Sequence, residues 1–148
     1  MNTEKTAVCD EDRIFHLISD WARAVCAEDL DRIMSHYAAD ATIYDATPPF
    51  QIKGAEDYRR TWEAGLAVLP ASFDLETRDL NITVSGDLAV AHWLYRFTGP
   101  QEDRPASRSW LRATIGCQRR DGRWLIVHEH TSVPFDPRTA KAVFTHDP

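Results

Sequence analysis

Apolar residues recur every three or four positions through the first third of the chain, which is the spacing that gives a helix one apolar face. Over residues 10–27 this spacing predicts a first helix. Asp29 can cap a second, shorter helix that runs through Tyr37, because its carboxylate can accept the free amide hydrogens of the first turn. We expect these two helices to form a hairpin.

A short strand and a third helix are predicted after this hairpin. Residues 41–45 include β-branched side chains, and the turn-forming residues 46–49 follow them. The third helix is predicted from just after Gly54 to about Leu69. Pro70 would end it, because proline has no amide hydrogen to donate within a helix.

Beyond Pro70 the apolar period changes to two, which predicts strands because alternate side chains of a strand share a face. The strands are predicted over 72–85, 88–99, 107–120 and 124–133, with turns at 85–87, in the polar loop 99–106 and at Asp121-Gly122. A helical third followed by a long antiparallel meander predicts an α+β fold. A sheet this long, curved around three helices, also predicts an interior pocket.

The length of 148 residues suits one domain. We place a flexible N-terminus at 1–9, the folded domain at 10–135 and a C-terminal tail at 136–148. The formal charge of -6, without a long run of Lys or Arg, argues against nucleic-acid and membrane partners. The polar N-terminal residues and the lack of any stretch approaching about 20 apolar residues predict a cytoplasmic protein.

Cysteine usage and glycine placement bear on cofactors. Cys9, Cys26 and Cys117 are odd in number and widely spaced, which predicts free thiols rather than disulfides or a paired-thiol metal motif. The sequence contains no glycine-rich loop between a strand and a helix, so we expect no nucleotide cofactor.

Several segments occur in the order 28–33, 37–45, Gly54 at a helix start, 86–91 and 119–132. Together they resemble the ketosteroid isomerases and SnoaL-like proteins of the nuclear transport factor 2-like superfamily, which also includes the association domain of calcium/calmodulin-dependent kinase. The resemblance covers roughly residues 10–135. It implies a cone-shaped curved antiparallel sheet wrapped around three N-terminal helices, with one pocket.

The resemblance also implies which side chains face that pocket. The candidates for chemistry are Asp45, His92, Arg96, Arg112 and Glu129. The candidates for substrate contact are Trp21, Tyr37, Trp62, Leu94, Thr114 and Thr131, with Val127 on the same face. The opposite face would then carry Ala91, Trp93, Tyr95, Phe97, Leu111, Ala113, Ile115, Cys117, Trp124 and Ile126.

Asp45 matches the catalytic base of the ketosteroid isomerases. The donors that stabilise the enolate in that family are replaced here by Trp21 and, at about the matching place, Thr114, so steroid isomerisation is not favoured. Arg96 and Arg112 would instead favour an anionic or carbonyl-bearing ligand and would lower the pKa of nearby carboxylates. The alternative is a buried ion-pair network with no ligand.

Histidines raise two further alternatives. His128 and His130 lie two residues apart and could bind a metal from one face of a strand. The resemblance turns both away from the pocket and supplies no third ligand, so no metal is expected. His92 is either an acid–base group or a hydrogen-bonded core residue.

The apolar stripe assigned to the outer face predicts a two-fold homodimer through that face. The alternative is that the tail at 135–144 folds back over it. Two function classes follow from the sequence. The first is a cofactor-independent isomerase, cyclase, lyase or hydratase that acts on a small molecule by proton transfer. The second is a non-catalytic ligand-binding or oligomerisation module.

Overall fold

Three helices cover a six-stranded sheet in the computed structural model, which describes residues 8–69, 72–99 and 108–147. The helices are α1 (Asp10–Cys26), α2 (Leu30–Met34) and α3 (Ala55–Leu66). The strands of the main sheet are β1 (Tyr37–Tyr44), β2 (Ile52–Lys53), β3 (Asp74–Ser85), β4 (Leu88–Thr98), β5 (Leu111–Arg120) and β6 (Arg123–Ser132). A small second hairpin pairs β7 (Phe135–Asp136) with β8 (Lys141–Ala142).

The helices begin where the sequence predicts. Helix α1 buries its apolar face, and its first turn is acidic, which suits the positive end of the helix dipole. The Oδ1 atom of Asp29 accepts a hydrogen bond from the amide of Arg32 at 3.1 Å, as expected of an N-cap. Gly54 precedes α3 with φ at 92°, a backbone conformation that favours glycine.

The order of the strands in the sheet is β2-β1-β6-β5-β4-β3. Strands β3 to β6 form the predicted antiparallel meander. The turn at Asp121 and Gly122 has positive φ at both residues, as a tight two-residue hairpin requires. Strand β1 pairs with β6 in parallel, so the sheet is mixed rather than wholly antiparallel. The reason is that the chain reaches β6 only after α3 and the whole meander, and not by a hairpin from β1. The predicted loop 99–106 lies outside the described residues except for Gly99.

The inner faces of β4 and β5 are the reverse of those implied by the resemblance. Trp93, Tyr95 and Ile115 are buried and belong to the core beneath the helices, together with Ala91, Ala113 and Cys117. The inward orientation expected for the alternate residues is therefore wrong; these residues are His92, Leu94, Arg96, Arg112 and Thr114. The physical reason is that the larger apolar side chains of each strand take the face that excludes water.

A β-bulge changes the phase of β6. Gly116 pairs with His128, whereas the next residue, Cys117, pairs with Ile126, so Val127 has no partner on β5. The extra residue allows both Ile126 and Glu129 to be buried, although they are three positions apart. The expectation that Trp124 and Ile126 face outward is therefore wrong, because alternation restarts at the bulge.

The end of the chain packs against the outer side of the meander. The amide of Trp110 donates to the carbonyl of Thr145 at 2.9 Å, and its indole donates to the carbonyl of His146 at 3.1 Å. The guanidinium groups of Arg78 and Arg96 lie over the Trp110 ring, at 5.5 and 4.7 Å from its centroid. These contacts join the last residues of the tail to the outer face near the ends of β3 and β4.

Two neighbouring alanine substitutions test the orientation of β5. Ile115→Ala should lower the free energy of unfolding by about 2–5 kcal/mol, because it leaves a cavity in the core. Thr114→Ala should cost less than about 1 kcal/mol, because that side chain is exposed. Urea denaturation of both variants checks the difference. An equal or larger loss for Thr114→Ala would show that the assigned faces are wrong.

Candidate functional site

A single buried carboxyl group lies at the centre of the interior. Glu129 on β6 is 4% exposed. The hydroxyl of Tyr37 donates to its Oε2 atom at 2.5 Å, and that of Tyr58 donates to its Oε1 atom at 3.1 Å. The hydroxyl of Thr131 lies 3.5 Å from Oε1. Within the described part of the chain, no ion pair includes Glu129, so its partners are neutral hydroxyl groups.

Burial sets the proton affinity of this carboxyl. Loss of solvation raises the pKa of Glu129 to about 7. The hydrogen bonds from Tyr37 and Tyr58 lower this pKa, and the negative charge of Asp45 raises it. Burial also raises the pKa of both tyrosines, so they remain hydrogen-bond donors at neutral pH. Glu129 is therefore poised to gain or lose a proton near pH 7.

Aromatic rings surround the buried carboxyl. The Trp21 ring meets those of Trp62, Trp93 and Tyr95 edge-on, at centroid distances of 6.1, 6.3 and 5.8 Å. The indole N–H groups of the three tryptophans are buried and have no hydrogen-bond partner among the described residues. An unpaired buried donor costs about 1–3 kcal/mol, so three of them close together point to a ligand that supplies acceptor atoms.

A narrow crevice lies beside Glu129. Its lining is apolar apart from Tyr37, Glu129 and the two indoles, and consists of Leu17, Ile18, Trp21, Tyr37, Trp93, Ile115, Ile126 and Glu129. The crevice is too tight for a water molecule. Binding of a ligand here therefore requires the surrounding side chains to move.

Asp45 joins this interior to the surface. It follows β1 and is half-buried, and its Oδ1 atom accepts a hydrogen bond from the amide of Ala46 at 2.6 Å. Burial raises the pKa of Asp45, although the amides of Ala46 and Thr47 lower it. Its charge raises the pKa of Glu129 and of Tyr58, so the two carboxyl groups lie within electrostatic range. Asp45 also lines a groove of about 640 Å³ with Tyr44, His130 and residues 46–50.

The structure brings together six of the predicted site residues: Trp21, Tyr37, Asp45, Trp62, Glu129 and Thr131. It places five others on the outer face. Of these, Arg96 binds Glu76 with 2.8 Å between Nε and Oε2, and Arg112 donates to the hydroxyl of Ser132 at 3.1 Å. His92 lies opposite Thr114 on that face, and both are exposed. Leu94 pairs with Arg112 there.

Three interior residues were not predicted as part of the site. Tyr58 lies one helical turn before Trp62 on α3, so helical spacing could have placed both on one face. Trp93 and Tyr95 alternate along β4 with more polar neighbours. This alternation is enough to predict that both are buried, without reference to the resemblance.

His128 and His130 flank Tyr44 on the outer face. The ring of Tyr44 lies 4.8 Å from that of His128 and 5.6 Å from that of His130, between centroids. The Nδ1 atom of His128 is 2.7 Å from the carbonyl oxygen of Thr42. Within the described ranges, no group of three or more His, Cys, Asp or Glu residues has the arrangement of a metal site.

An α+β cone with a polar group at its centre is the architecture of the nuclear transport factor 2-like proteins. The family model for the SnoaL-like domain matches residues 14–136. A crystal structure of a nuclear transport factor 2-like protein of unknown function from Pseudomonas putida KT2440 is 38% identical, with a TM-score of 0.85, over 93% of this chain and 96% of that chain. The protein belongs to the SnoaL-like family of this superfamily, as the resemblance implied.

More distant structures share the fold alone. A protein from Shewanella frigidimarina proposed to be a ketosteroid isomerase is 21% identical, with a TM-score of 0.67, over 79% of this chain and 92% of that chain. A protein from Novosphingobium aromaticivorans proposed to be a scytalone dehydratase is 14% identical, with a TM-score of 0.68, over 81% of this chain and 80% of that chain. No curated protein matches the chain. No helix in the described part of the chain is long and apolar enough to cross a bilayer.

The raised pKa of Glu129 predicts a dependence of stability on pH that Glu129→Gln should remove. The folded-state pKa of about 7 lies above the ordinary value of 4.5, so the folded protein binds the proton of Glu129 more tightly than the unfolded chain does. The contribution of this proton to the free energy of unfolding is therefore complete below about pH 4.5 and decreases as the pH rises to about 7. The difference corresponds to on the order of 3 kcal/mol.

Urea denaturation of the parent protein and Glu129→Gln between pH 4.5 and 8 measures this contribution. The glutamine oxygen can still accept a hydrogen bond from one of the two tyrosines, Tyr37 or Tyr58, and all other titrating groups are common to the two proteins. The parent should lose stability relative to the variant as the pH rises. Parallel curves would mean that Glu129 titrates as an ordinary carboxyl group.

Proposed function

We propose that this protein catalyses proton transfer on a small, uncharged, carbonyl-bearing molecule, as an isomerase or a dehydratase-type lyase. Asp45 acts as the general base and Glu129 as the general acid. The observation that carries the proposal is a buried carboxyl group that, among residues 8–69, 72–99 and 108–147, is held only by hydroxyl groups and lies beside three buried indole N–H groups without an acceptor. Such a pocket offers hydrogen bonds to oxygen atoms and no fixed charge.

The two carboxyl groups differ in environment, which supports different roles for them. Asp45 is half-buried, and this burial raises its pKa, but the hydrogen bonds from the backbone amides of Ala46 and Thr47 favour its ionised form. Glu129 is fully buried, and the negative charge of Asp45 favours its protonated form. A pair of titratable groups whose environments separate their pKa values can supply both the base and the acid of one reaction.

The proposed step balances without a cofactor. Asp45 takes a proton from a carbon atom next to the carbonyl group, while Glu129 gives its proton to the carbonyl oxygen, and an enol forms. For isomerisation, Asp45 returns its proton to another carbon atom and Glu129 recovers the proton of the enol oxygen. For dehydration, the bond from the next carbon atom to its hydroxyl group breaks, Asp45 gives its proton to the leaving hydroxyl group to form water, and Glu129 recovers the proton of the enol oxygen. The unpaired indoles and the tyrosine hydroxyls would bind the substrate oxygens.

An uncharged ligand fits better than the anionic one considered from the sequence. That expectation rested on Arg96 and Arg112, which lie on the outer face and contact Glu76 and Ser132. A ligand carboxylate beside Glu129 would instead add a second buried negative charge without a cation to compensate it.

The second candidate function is ligand binding without catalysis. The narrowness of the crevice favours it, because a substrate must displace several aromatic side chains before reaching Glu129. Both candidates place the ligand in the same pocket, so a measurement of proton transfer separates them.

Exchange of deuterium into cyclic ketones and β-hydroxy ketones, followed by NMR in D₂O, tests the catalytic proposal. With a ketone that the parent protein exchanges, Asp45→Asn should slow exchange by about 10²–10⁴-fold, because the base is lost. Glu129→Gln should slow it less, because the amide can still donate a hydrogen bond to the carbonyl oxygen. Asp40→Asn is the matched control, since this exposed carboxylate lies on β1, five residues before Asp45, and binds Arg120.

The melting temperature of each variant accompanies the exchange rates. Asp45→Asn should melt close to the parent protein if its role is chemical. If several ketones bind, as shown by a rise in the parent's melting temperature, but none exchanges faster than in buffer, the non-catalytic function is correct. Equal losses in Asp45→Asn and Asp40→Asn would also contradict the proposal.

We further propose a homodimer through the outer face of the sheet, in the cytoplasm. The aromatic stripe that predicts the dimer from the sequence lies in the core, so the proposed dimer is supported instead by exposed apolar residues of the outer face. Leu88 and Val90 are 57% and 50% exposed on this face, and Tyr44 is 39% exposed. The free thiols of Cys9, Cys26 and Cys117 suit a reducing compartment.

Sedimentation equilibrium tests the dimer. Val90→Glu should raise the dimer dissociation constant at least about tenfold, because two-fold symmetry introduces two charges into one interface. Val68→Glu, which changes an exposed valine just beyond α3, is the control and should leave association unchanged. A monomeric parent protein, or equal effects of the two variants, would disprove an interface at this face.

A further inference from the structure

We propose that a second site, formed by the basic hollow beneath the N-terminal half of α1, binds a small organic anion. The basic hollow has a volume of about 500 Å³ and is lined by Arg13, His16, Leu17, His36, Gly122, Arg123 and Trp124. The site is separate from the pocket around Glu129 and does not depend on the proposed function.

The lining of the basic hollow contains two arginines, two histidines and no acidic residue. The chain as a whole has 23 Asp and Glu residues against 17 Lys and Arg residues. The two arginines therefore make the lining of this hollow more positive than the protein as a whole. The basic groups come from three separate segments: Arg13 and His16 from α1, His36 from the connection before β1, and Arg123 from the start of β6. Convergence of separate segments on one hollow favours a binding site over a chance surface cluster.

The two arginines of the basic hollow retain capacity to bind an anion. The nearest carboxylate to Arg13 is that of Asp10, with 3.7 Å between NH1 and Oδ1. Arg123 makes a hydrogen bond of 3.4 Å to the carbonyl of Ser35. By contrast, Arg119 and Arg120 nearby bind carboxylates at 3.0 Å or less. The guanidinium groups of Arg13 and Arg123 are therefore the donors for an incoming carboxylate or phosphate.

His36 is held at the edge of the basic hollow by Asp20. Its Nε2 atom lies 2.9 Å from Oδ2 of Asp20, and that carboxylate also binds Arg32. Burial lowers the pKa of His36, opposed by Asp20, and the positive charges of Arg32 and Arg123 lower it further. A lowered pKa means that His36 carries less charge at neutral pH, so the fixed positive charges of the hollow are those of Arg13 and Arg123.

The floor of the basic hollow is apolar, which indicates an organic anion rather than an inorganic one. Leu17 and Trp124 are both buried and line it. The Trp124 ring is held in place, because its indole donates to Asp10 at 3.2 Å and the guanidinium of Arg119 lies 5.0 Å from the ring centroid. A rigid apolar floor below cationic groups suits an anion that carries a ring or a short hydrocarbon chain.

Isothermal titration calorimetry with four probes tests this proposal. Phenyl phosphate and benzoate represent the two anion types, inorganic phosphate lacks the apolar part, and benzyl alcohol lacks the charge. At least one of the two organic anions should bind with a dissociation constant of about 1 mM or lower at low salt. Inorganic phosphate and benzyl alcohol should bind at least about fivefold more weakly.

Substitutions locate the binding. The double variant Arg13→Gln with Arg123→Gln should raise the dissociation constant at least about tenfold. The double variant Arg13→Lys with Arg123→Lys keeps the charge but lacks the paired donors of the guanidinium groups, so it should lose less affinity for the anion than the double glutamine variant. Arg60→Gln, an exposed arginine of α3 outside the basic hollow, is the control and should change affinity less than twofold. Melting temperatures confirm that each variant is folded.

Three outcomes would overturn the proposal. The first is that neither organic anion binds below about 10 mM. The second is that benzyl alcohol or inorganic phosphate binds as tightly as the organic anions, which would remove the need for both charge and apolar surface. The third is that Arg60→Gln weakens binding as much as the double glutamine variant, which would show an unspecific effect of net charge.

Discussion

The burial of one carboxyl group without a cation is the constraint on which the rest of this structure depends. A carboxylate in an apolar interior is costly unless it is hydrogen-bonded, paired or protonated. Here, Tyr37, Tyr58 and Thr131 supply the hydroxyl groups, and burial raises the pKa of Glu129 until the neutral form is accessible near pH 7. The tyrosines come from β1 and α3, so the contacts of one side chain join three elements of the cone.

A local irregularity in β6 places that carboxyl group in the core. Without the bulge at Val127, regular alternation would put Ile126 and Glu129 on opposite faces, because they are an odd number of residues apart. The bulge lets the strand bury Trp124 and Ile126 in its first half and Glu129 and Thr131 in its second half. One unpaired residue thus combines a continuous apolar core with a polar centre.

Much of the fold follows from local patterns, and the faces of the strands do not. Helical spacing and the turn at Asp121-Gly122 predict elements that the structure confirms, because each depends on residues close in sequence. The cap at Asp29 correctly predicts the start of the second helix, but this helix ends at Met34, and Tyr37, predicted within it, begins β1. The roles of Asp45 and Glu129 stay predictions. The resemblance implies the wrong faces of β4 and β5, whereas the alternation of polar and apolar residues indicates that Trp93 and Tyr95 are buried. The bulge at Val127 has no comparable signal in the sequence, because it arises from pairing with β5.

The crowded aromatic interior and its unpaired donors have a common physical meaning. Each indole N–H of Trp21, Trp62 and Trp93 lacks a protein acceptor, and the crevice among the rings is too narrow for water to provide one. The folded protein therefore carries a free-energy cost of about 1–3 kcal/mol for each donor. A ligand that separates the rings loses some aromatic packing but gains these hydrogen bonds, so its oxygen atoms contribute more than they would in a solvated site. The same donors would act on charge that develops on a substrate oxygen, which is how a closed apolar pocket can favour a transition state over the ground state.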